Sequence, residues 1–251
     1  MRSSIDLSSF DVNKIKPYNT CVFIGKRGTG KTVLLKDILY NFKELPIGAV
    51  ISQTAKVTKD FHGIIPDCLI HSRYKPDFIE KIFRSQEKKL ENLHNDLYDE
   101  IPDRQERMEY IKSDINNYCF IVMDDMISDS KTWKNDDKFQ SIFFEGRHYL
   151  IFFILTMQEP LAIPPKLRSN IDFFFITFTN NNQDIEKLYN IAGGAFNNKK
   201  EFRSVLQACT KDYSCMVVDN VVNKNEIEDR IFYYKAKIRK NFKVCLDQFW
   251  N

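Results

Sequence analysis

At 251 residues the chain suits one α/β domain with additions, or at most two small ones. Its 43% hydrophobic content, with 21 Phe, is ample for an aromatic-rich core and excludes a disordered chain. A net charge of +3 neither demands nor excludes a polyanionic partner, because binding depends on where the charges lie.

Residues 1–18 read as a polar lead-in that ends near Pro17, with no apolar core of a signal peptide. A short apolar run follows, Cys21, Val22, Phe23 and Ile24. Directly behind it Gly25, Lys26, Arg27, Gly28, Thr29, Gly30, Lys31 and Thr32 fit G-x-x-x-x-G-K-[ST] with no mismatch. Val33, Leu34, Leu35, Ile38, Leu39 and Phe42 then recur at helical spacing. Strand, glycine loop and helix are the setting a phosphate-binding P-loop requires. The chain has only 8 Gly, yet three fall in this loop, which argues against a chance match. Glycines let backbone N–H groups curl around phosphates, and a helix N-terminus adds partial positive charge. Lys31 is expected to reach the β- and γ-phosphates and the Thr32 hydroxyl to sit on Mg²⁺, so a nucleoside triphosphate is bound.

Residues 47–53 read as a second strand after the break at Pro46. Residues 76–117 form a charged stretch without Gly, in which Phe78, Ile82, Leu90, Leu93 and Leu97 keep helical spacing and Pro102 separates two helices. The solid apolar run at 118–123 is the kind that a parallel strand covered on both faces needs. A helix is expected over 137–148, strands over 149–156 and 171–177, and helices near 184–191 and 199–209. Two strand-like pieces, 213–218 and 231–237, close the chain, with a C-terminal strand segment spanning about 213–244. Strands alternating with helices behind a P-loop predict a doubly wound, mostly parallel sheet with helices on both faces. Residues 19–251 are thus expected to form a single domain. No apolar run is long enough to span a bilayer. The six scattered Cys lack a C-x-x-C, and His62, His71, His94 and His148 lack metal-type spacing. A soluble protein of a reducing, intracellular compartment is expected.

The apolar run Phe120, Ile121, Val122 and Met123 ends in Asp124 and Asp125. Behind a P-loop, the first acid would hold Mg²⁺ and the second could polarise the attacking water as general base. The next strand ends in Thr156, Met157 and Gln158, whose amide could sense the γ-phosphate. Hydrolysis also needs positive charge at the transition state. Arg27 within the P-loop, Arg147 at the end of the helix at 137–148 and Arg168 before the fifth apolar strand are the candidates. The basic segment at 235–243, interleaved with Tyr233, Tyr234 and Phe242, could track a phosphate backbone or blunt a sheet edge.

Several blocks carry a family resemblance. Phe143, Phe144, Glu145, Gly146, Arg147, His148 and Tyr149 form one. A second runs from Leu155, Thr156, Met157 and Gln158 through Glu159, Pro160, Leu161, Ala162 and Ile163 to Pro164 and Pro165. Leu167, Arg168, Ser169, Asn170, Ile171 and Asp172 form a third. Together they resemble the poxvirus-type genome-packaging ATPases of nucleocytoplasmic large DNA viruses and their satellite relatives, within the FtsK–HerA superfamily. Ile231, Phe232, Tyr233, Tyr234, Lys235 and Ala236 are similar to that family's C-terminal strand. The resemblance implies a RecA-like P-loop ATPase core that uses ATP and Mg²⁺. It implies a homo-oligomeric ring, pentamer or hexamer, which drives double-stranded DNA into a preformed capsid through capsid or portal-vertex components. It also implies a location in the viral factory of the host cytoplasm or in the virion. The family's P-loop lysine and threonine fall on Lys31 and Thr32, its paired acids on Asp124 and Asp125, its polar sensor on Gln158, and its arginine finger on Arg147 or Arg168. Glu145 stands where a small polar residue is more usual.

Other P-loop classes fit less well. A regulatory GTPase wants Asp-x-x-Gly, where this chain has Asp124, Asp125, Met126 and Ile127. It also wants Asn-Lys-x-Asp, approached only by Asn223, Lys224, Asn225 and Glu226. A small-molecule kinase is disfavoured by the paired acids, which suit attack by water. An ATPase with a non-packaging role, such as another DNA translocase or an assembly protein, is the remaining alternative.

Overall fold

Solid apolar strands must be covered on both faces, and the architecture follows from that. A computed structural model of the protein describes residues 7–126, 133, 135–160, 163–224 and 226–250. Residues 1–6 of the lead-in, Ile127, Asn225, and Leu161 and Ala162 of the second block lie outside the described residues.

The described strands are β1 (Thr20–Ile24), β2 (Gly48–Ser52), β3 (Ile70–His71), β4 (Cys119–Asp124), β5 (Ile151–Met157), β6 (Phe173–Ile176), β7 (Cys215–Asp219) and β8 (Ile231–Tyr234). They form one sheet in the order β3-β2-β4-β5-β1-β6-β7-β8. Neighbours from β3 to β6 are parallel, whereas β7 pairs antiparallel with both β6 and β8. The fold is the expected one, a P-loop NTPase sheet that is mostly parallel, with β7 as its one reversed strand among those described. Successive side chains go to opposite faces. Ile121 and Met123 join one core with Phe139, Phe143 and Phe202, while Phe120 and Val122 join the other with Leu35, Ile38 and Phe242.

The covering helices are α1 (Lys31–Asn41), α2 (Ala55–Thr58), α3 (Pro76–Asp96), α4 (Arg104–Ser113), α5 (Asp137–Glu145), α6 (Pro165–Arg168), α7 (Asn182–Ala192), α8 (Lys199–Cys209) and α9 (Ile227–Arg230). Polar caps start several of them: Asp103, Asp136, Asn181 and Asn198 each accept a hydrogen bond from a first-turn amide. The charged stretch divides around Pro102 into α3 and α4, as its pattern predicts.

Three expectations need correction. The lead-in is not a separate polar segment, for Phe10 and Ile15 are buried. Its backbone also joins the edge of β8, with Phe10 N–H donating to the Tyr233 carbonyl at 2.8 Å and Tyr233 N–H to the Ser8 carbonyl at 3.1 Å. The helix expected over 137–148 stops at Glu145, and Leu150 takes a left-handed φ of 55° to turn the chain into β5. The last strand ends at Tyr234 rather than near 237, because the following donors leave the sheet. Lys237 N–H and Arg239 Nε both donate to the fully buried Asp37 of α1, at 2.8 and 2.6 Å. From there the chain straps across α1: Phe242 packs on Tyr40, and Val244 and Cys245 N–H reach the carbonyls of Ile64 and Leu45.

Candidate active site

Parallel pairing sends the carboxyl ends of β1, β2, β4, β5 and β6 to one edge, where the register aligns Ile24 with Met157 and Ile176, and Ser52 with Asp124. Crevices at such edges are where open α/β sheets hold ligands. A cavity of about 780 Å³ opens there, and Arg27, Gly28, Thr29, Gly30, Lys31 and Thr32 line it together with Asp124, Asp125 and Gln158.

The P-loop leaves β1 at Gly25. A Cβ on Gly25 would lie 1.7 Å from Thr177 Oγ1, so β6 can approach the loop only because residue 25 has no side chain. Thr177 Oγ1 donates to Thr29 Oγ1 at 2.7 Å, and Thr29 Oγ1 donates to the Lys26 carbonyl at 2.7 Å. Gly30 is the N-cap of α1 with φ 91°, a left-handed turn that starts the helix toward the cavity. The Lys31 ammonium is buried and donates to the carbonyls of Gly25 and Lys26 at 2.6 and 2.8 Å. Burial lowers its pKa, opposed by the charges of Asp125 and Asp124. Thr32 faces the same cavity. Lys26 turns outward to an ion pair with Asp184 at 3.2 Å, and Arg27 is exposed at the cavity mouth.

The two acids sit at the tip of β4 and are organised by the neighbouring strands. Thr156 Oγ1 of β5 donates to Asp124 Oδ1 at 2.6 Å and accepts from Asp125 N–H at 3.0 Å. Ser52 Oγ of β2 donates to Asp124 Oδ2 at 3.3 Å. Burial pushes the Asp124 carboxyl up, the Thr156 and Ser52 hydrogen bonds pull it down, and the Asp125 charge adds to the rise. Asp125 has a left-handed φ of 49°, and its Oδ1 accepts from Gln158 Nε2 at 2.8 Å. Because β5 lies between β1 and β4, Gln158 stands between the P-loop and the acids.

Two of the three candidate arginines are elsewhere. Arg147 pairs with Asp172 Oδ1 at 3.5 Å, and the other Asp172 oxygen accepts from Thr20 N–H at 2.8 Å, the first residue of β1. Arg168 closes α6, and its Nε donates to the Ile163 carbonyl at 3.0 Å. Through Asp172, Arg147 stands at the amino edge of the sheet, the length of the five-residue β1, about 16 Å, from the P-loop. Neither lines the cavity of its own chain; Arg27 does.

Sequence reasoning did not find Ser52, Thr156, Thr177 or Asp37 as contributors. Hydroxyls at strand ends carry no periodic signal, and their partners are fixed by strand order. An Asp in the apolar helix after the P-loop was the one visible anomaly.

The donor set suits Mg²⁺. Among the described residues no group of three or more His, Cys, Asp or Glu is placed to hold a metal alone. Magnesium needs no such cage, since one or two carboxylate or hydroxyl oxygens suffice when phosphates and water supply the rest. Thr32 and the buried Asp124 face the cavity that Lys31 enters. Among the described residues no helix is long and apolar enough to cross a membrane.

Comparisons with known proteins bear on the whole chain. It is similar to protein L437 of Acanthamoeba polyphaga mimivirus, 32% identical over 238 residues, which is 95% of this chain and 80% of the relative. It is similar to protein 075L of Invertebrate iridescent virus 6, 28% identical over 92% of this chain and 85% of that one. Among solved structures it is similar in fold to the genome packaging NTPase B204 from Sulfolobus turreted icosahedral virus 2 in complex with ATP-gammaS. The TM-score is 0.57 at 14% identity, covering 90% of this chain and all of that one. The family model described as Poxvirus A32 protein matches residues 8–247. That span takes in the P-loop, both acids, the Gly-Arg-His block and the strap across α1, and the chain belongs to the Poxvirus A32 protein family.

Proposed function

We propose that the protein is an ATPase that works as a homo-oligomeric ring, pentamer or hexamer, and moves double-stranded viral DNA into a preformed capsid. The observation that carries this reading is the convergence of Lys31, Thr32, Asp124, Asp125 and Gln158 on one cavity at the carboxyl edge of the sheet. Lys31 binds the β- and γ-phosphates in exchange for the two loop carbonyls it now serves. Thr32 and Asp124 would hold Mg²⁺, which would supply charge to offset that of the phosphate oxygens. Asp125 accepts the proton of the water that attacks the γ-phosphorus, and the β–γ bridging oxygen departs with ADP. Gln158 fixes the Asp125 carboxylate and reaches the space beside it, so its amide can respond to the γ-phosphate.

Ring assembly is supported by where the arginines lie. Arg147 is at the far edge from its own cavity and Arg168 is outside the cavity lining, so either one serves hydrolysis in a neighbouring subunit, whereas Arg27 acts in its own. A ring would also concentrate a modest positive charge into a continuous channel for DNA, and its partners would be capsid or portal-vertex components in the viral factory or the virion. The decisive experiment measures phosphate release with and without double-stranded DNA, alongside oligomer size. DNA-stimulated turnover that Lys31→Ala and Asp125→Asn abolish is expected. Turnover untouched by Lys31→Ala in a pure preparation would sink the proposal. Turnover indifferent to DNA would move the protein to a non-packaging role.

A further inference from the structure

The cavity has two chemically different ends, and hydrolysis uses only one. Toward β2, β4 and β5 its walls are Thr54, Thr58, Asp60, Asp124, Asp125 and Gln158. Toward β7 and β8 the lining gains an apolar group, Val33, Tyr213, Ala236 and Ile238, beside Asp212 and Lys235. Tyr213 is 79% exposed, Ile238 75% and Val33 39%. Single exposed apolar side chains need no explanation, but three on the rim of one cavity, from three separate elements, form a patch that calls for an occupant.

The backbone gives an independent sign. Asp212 and Tyr213 have left-handed φ values of 50° and 62° in succession, a conformation that a bulky aromatic residue rarely adopts. The turn brings the tyrosine ring over the P-loop, with its Cδ1 3.9 Å from the point a Cβ on Gly30 would occupy. On the rim of the same cavity, Ile238 sits between Lys237 and Arg239, both anchored to the Asp37 carboxylate, so the strap is held in place on either side of it.

We propose that Tyr213 and Ile238 clamp the nucleobase of the bound triphosphate by its ring face rather than by its hydrogen-bonding edge. This deepens the reading of the P-loop as a triphosphate site and rests on it. Aromatic stacking tolerates any base, since every base presents a π-face. Two polar side chains at this end are committed elsewhere: the Tyr234 hydroxyl donates to Asp37 at 2.6 Å, and Cys215 Sγ to the Tyr234 carbonyl at 3.4 Å. A clamp on the ring face favours large rings over small ones with little choice between adenine and guanine.

Calorimetric titration of the full chain with ATP, GTP, CTP and inorganic tripolyphosphate, each with Mg²⁺, tests this. ATP and GTP are expected to bind within about threefold of each other, and Tyr213→Ala to weaken ATP about tenfold while leaving tripolyphosphate unchanged. Tyr213→Phe keeps the wild-type affinity. Tyr213→Gly, which suits the left-handed backbone, loses ATP affinity without lowering the melting temperature. Tyr213→Ala binding ATP as tightly as wild type, or a hundredfold preference for ATP over GTP, would overturn the clamp. Lys31→Ala tests the underlying reading separately. It must weaken ATP and tripolyphosphate alike, and if tripolyphosphate binds it undiminished, the P-loop assignment fails whatever Tyr213 does.

Discussion

One hydroxyl organises the acidic half of the site. Thr156 Oγ1 donates to Asp124 and accepts from the Asp125 amide, so it fixes both residues at the tip of β4. Thr156→Val keeps the shape and removes both bonds in a buried place, which costs about 1–3 kcal/mol on denaturant unfolding. Because Asp125 then loses its anchor, turnover should fall at least tenfold, and steady-state phosphate release checks this. Asp124 presents the opposite trade. Burial disfavours its charged form, so the neutral Asp124→Asn should raise the melting temperature of the nucleotide-free protein by roughly 2–4 °C while removing Mg²⁺-dependent hydrolysis. A calorimetric scan showing a lower melting temperature would contradict that account. At this scale the sequence was readable where chemistry is local. Gly25 to Thr32 and the Asp124–Asp125 pair announce themselves by spacing and by the apolar run before them. Thr156 and Ser52 do not, since their partners sit on strands that only the sheet order brings together.

Elements were readable where periodicity is strong and obscure where an element is short or borrowed. α3, α7 and α8 follow from their 3.6-residue pattern, α4 from the break at Pro102, and the buried strands from their solid apolar runs. β3 has two residues and no such signature, and it exists because β2 offers it a parallel edge. The strap after β8 was ambiguous because its lysines suit either a sheet edge or a polyanion. In the fold its backbone goes to Asp37. That carboxylate accepts from Tyr234, Lys237 and Arg239, and Arg239 also stacks over Tyr40 at 4.0 Å. Removing one partner of a buried ionic network is strongly destabilising, though Arg239 is partly exposed and recovers some solvation. Asp37→Ala should therefore cost about 3 kcal/mol by chemical denaturation, and Arg239→Lys, which lacks the planar fork, less than that.

For the whole molecule, the sheet has a phosphate edge and an arginine edge. Such polarity is invisible in a linear motif list, because Arg147 and Arg168 look equally close to the P-loop until strand direction is known. In a ring the arrangement permits complementation. Lys31→Ala subunits retain their arginines, and Arg147→Ala or Arg168→Ala subunits retain their P-loops. Each variant alone should lose turnover, by about 10³-fold for the arginine that serves as finger. Mixing the two should restore a measurable fraction, and a mixture no more active than its parts for either arginine would leave Arg27 as the catalytic arginine.

Asp172 holds the start of β1 by the Thr20 amide and Arg147 by its side chain, while the other end of β1 is the P-loop. That strand is hydrogen-bonded along both sides, to β5 and to β6, and has no slack. In the proposed ring it would act as a rod through the sheet. A neighbour that drew Arg147 away from Asp172 would pull on the same backbone that carries the P-loop, so a signal between adjacent subunits would need no hinge and no moving domain.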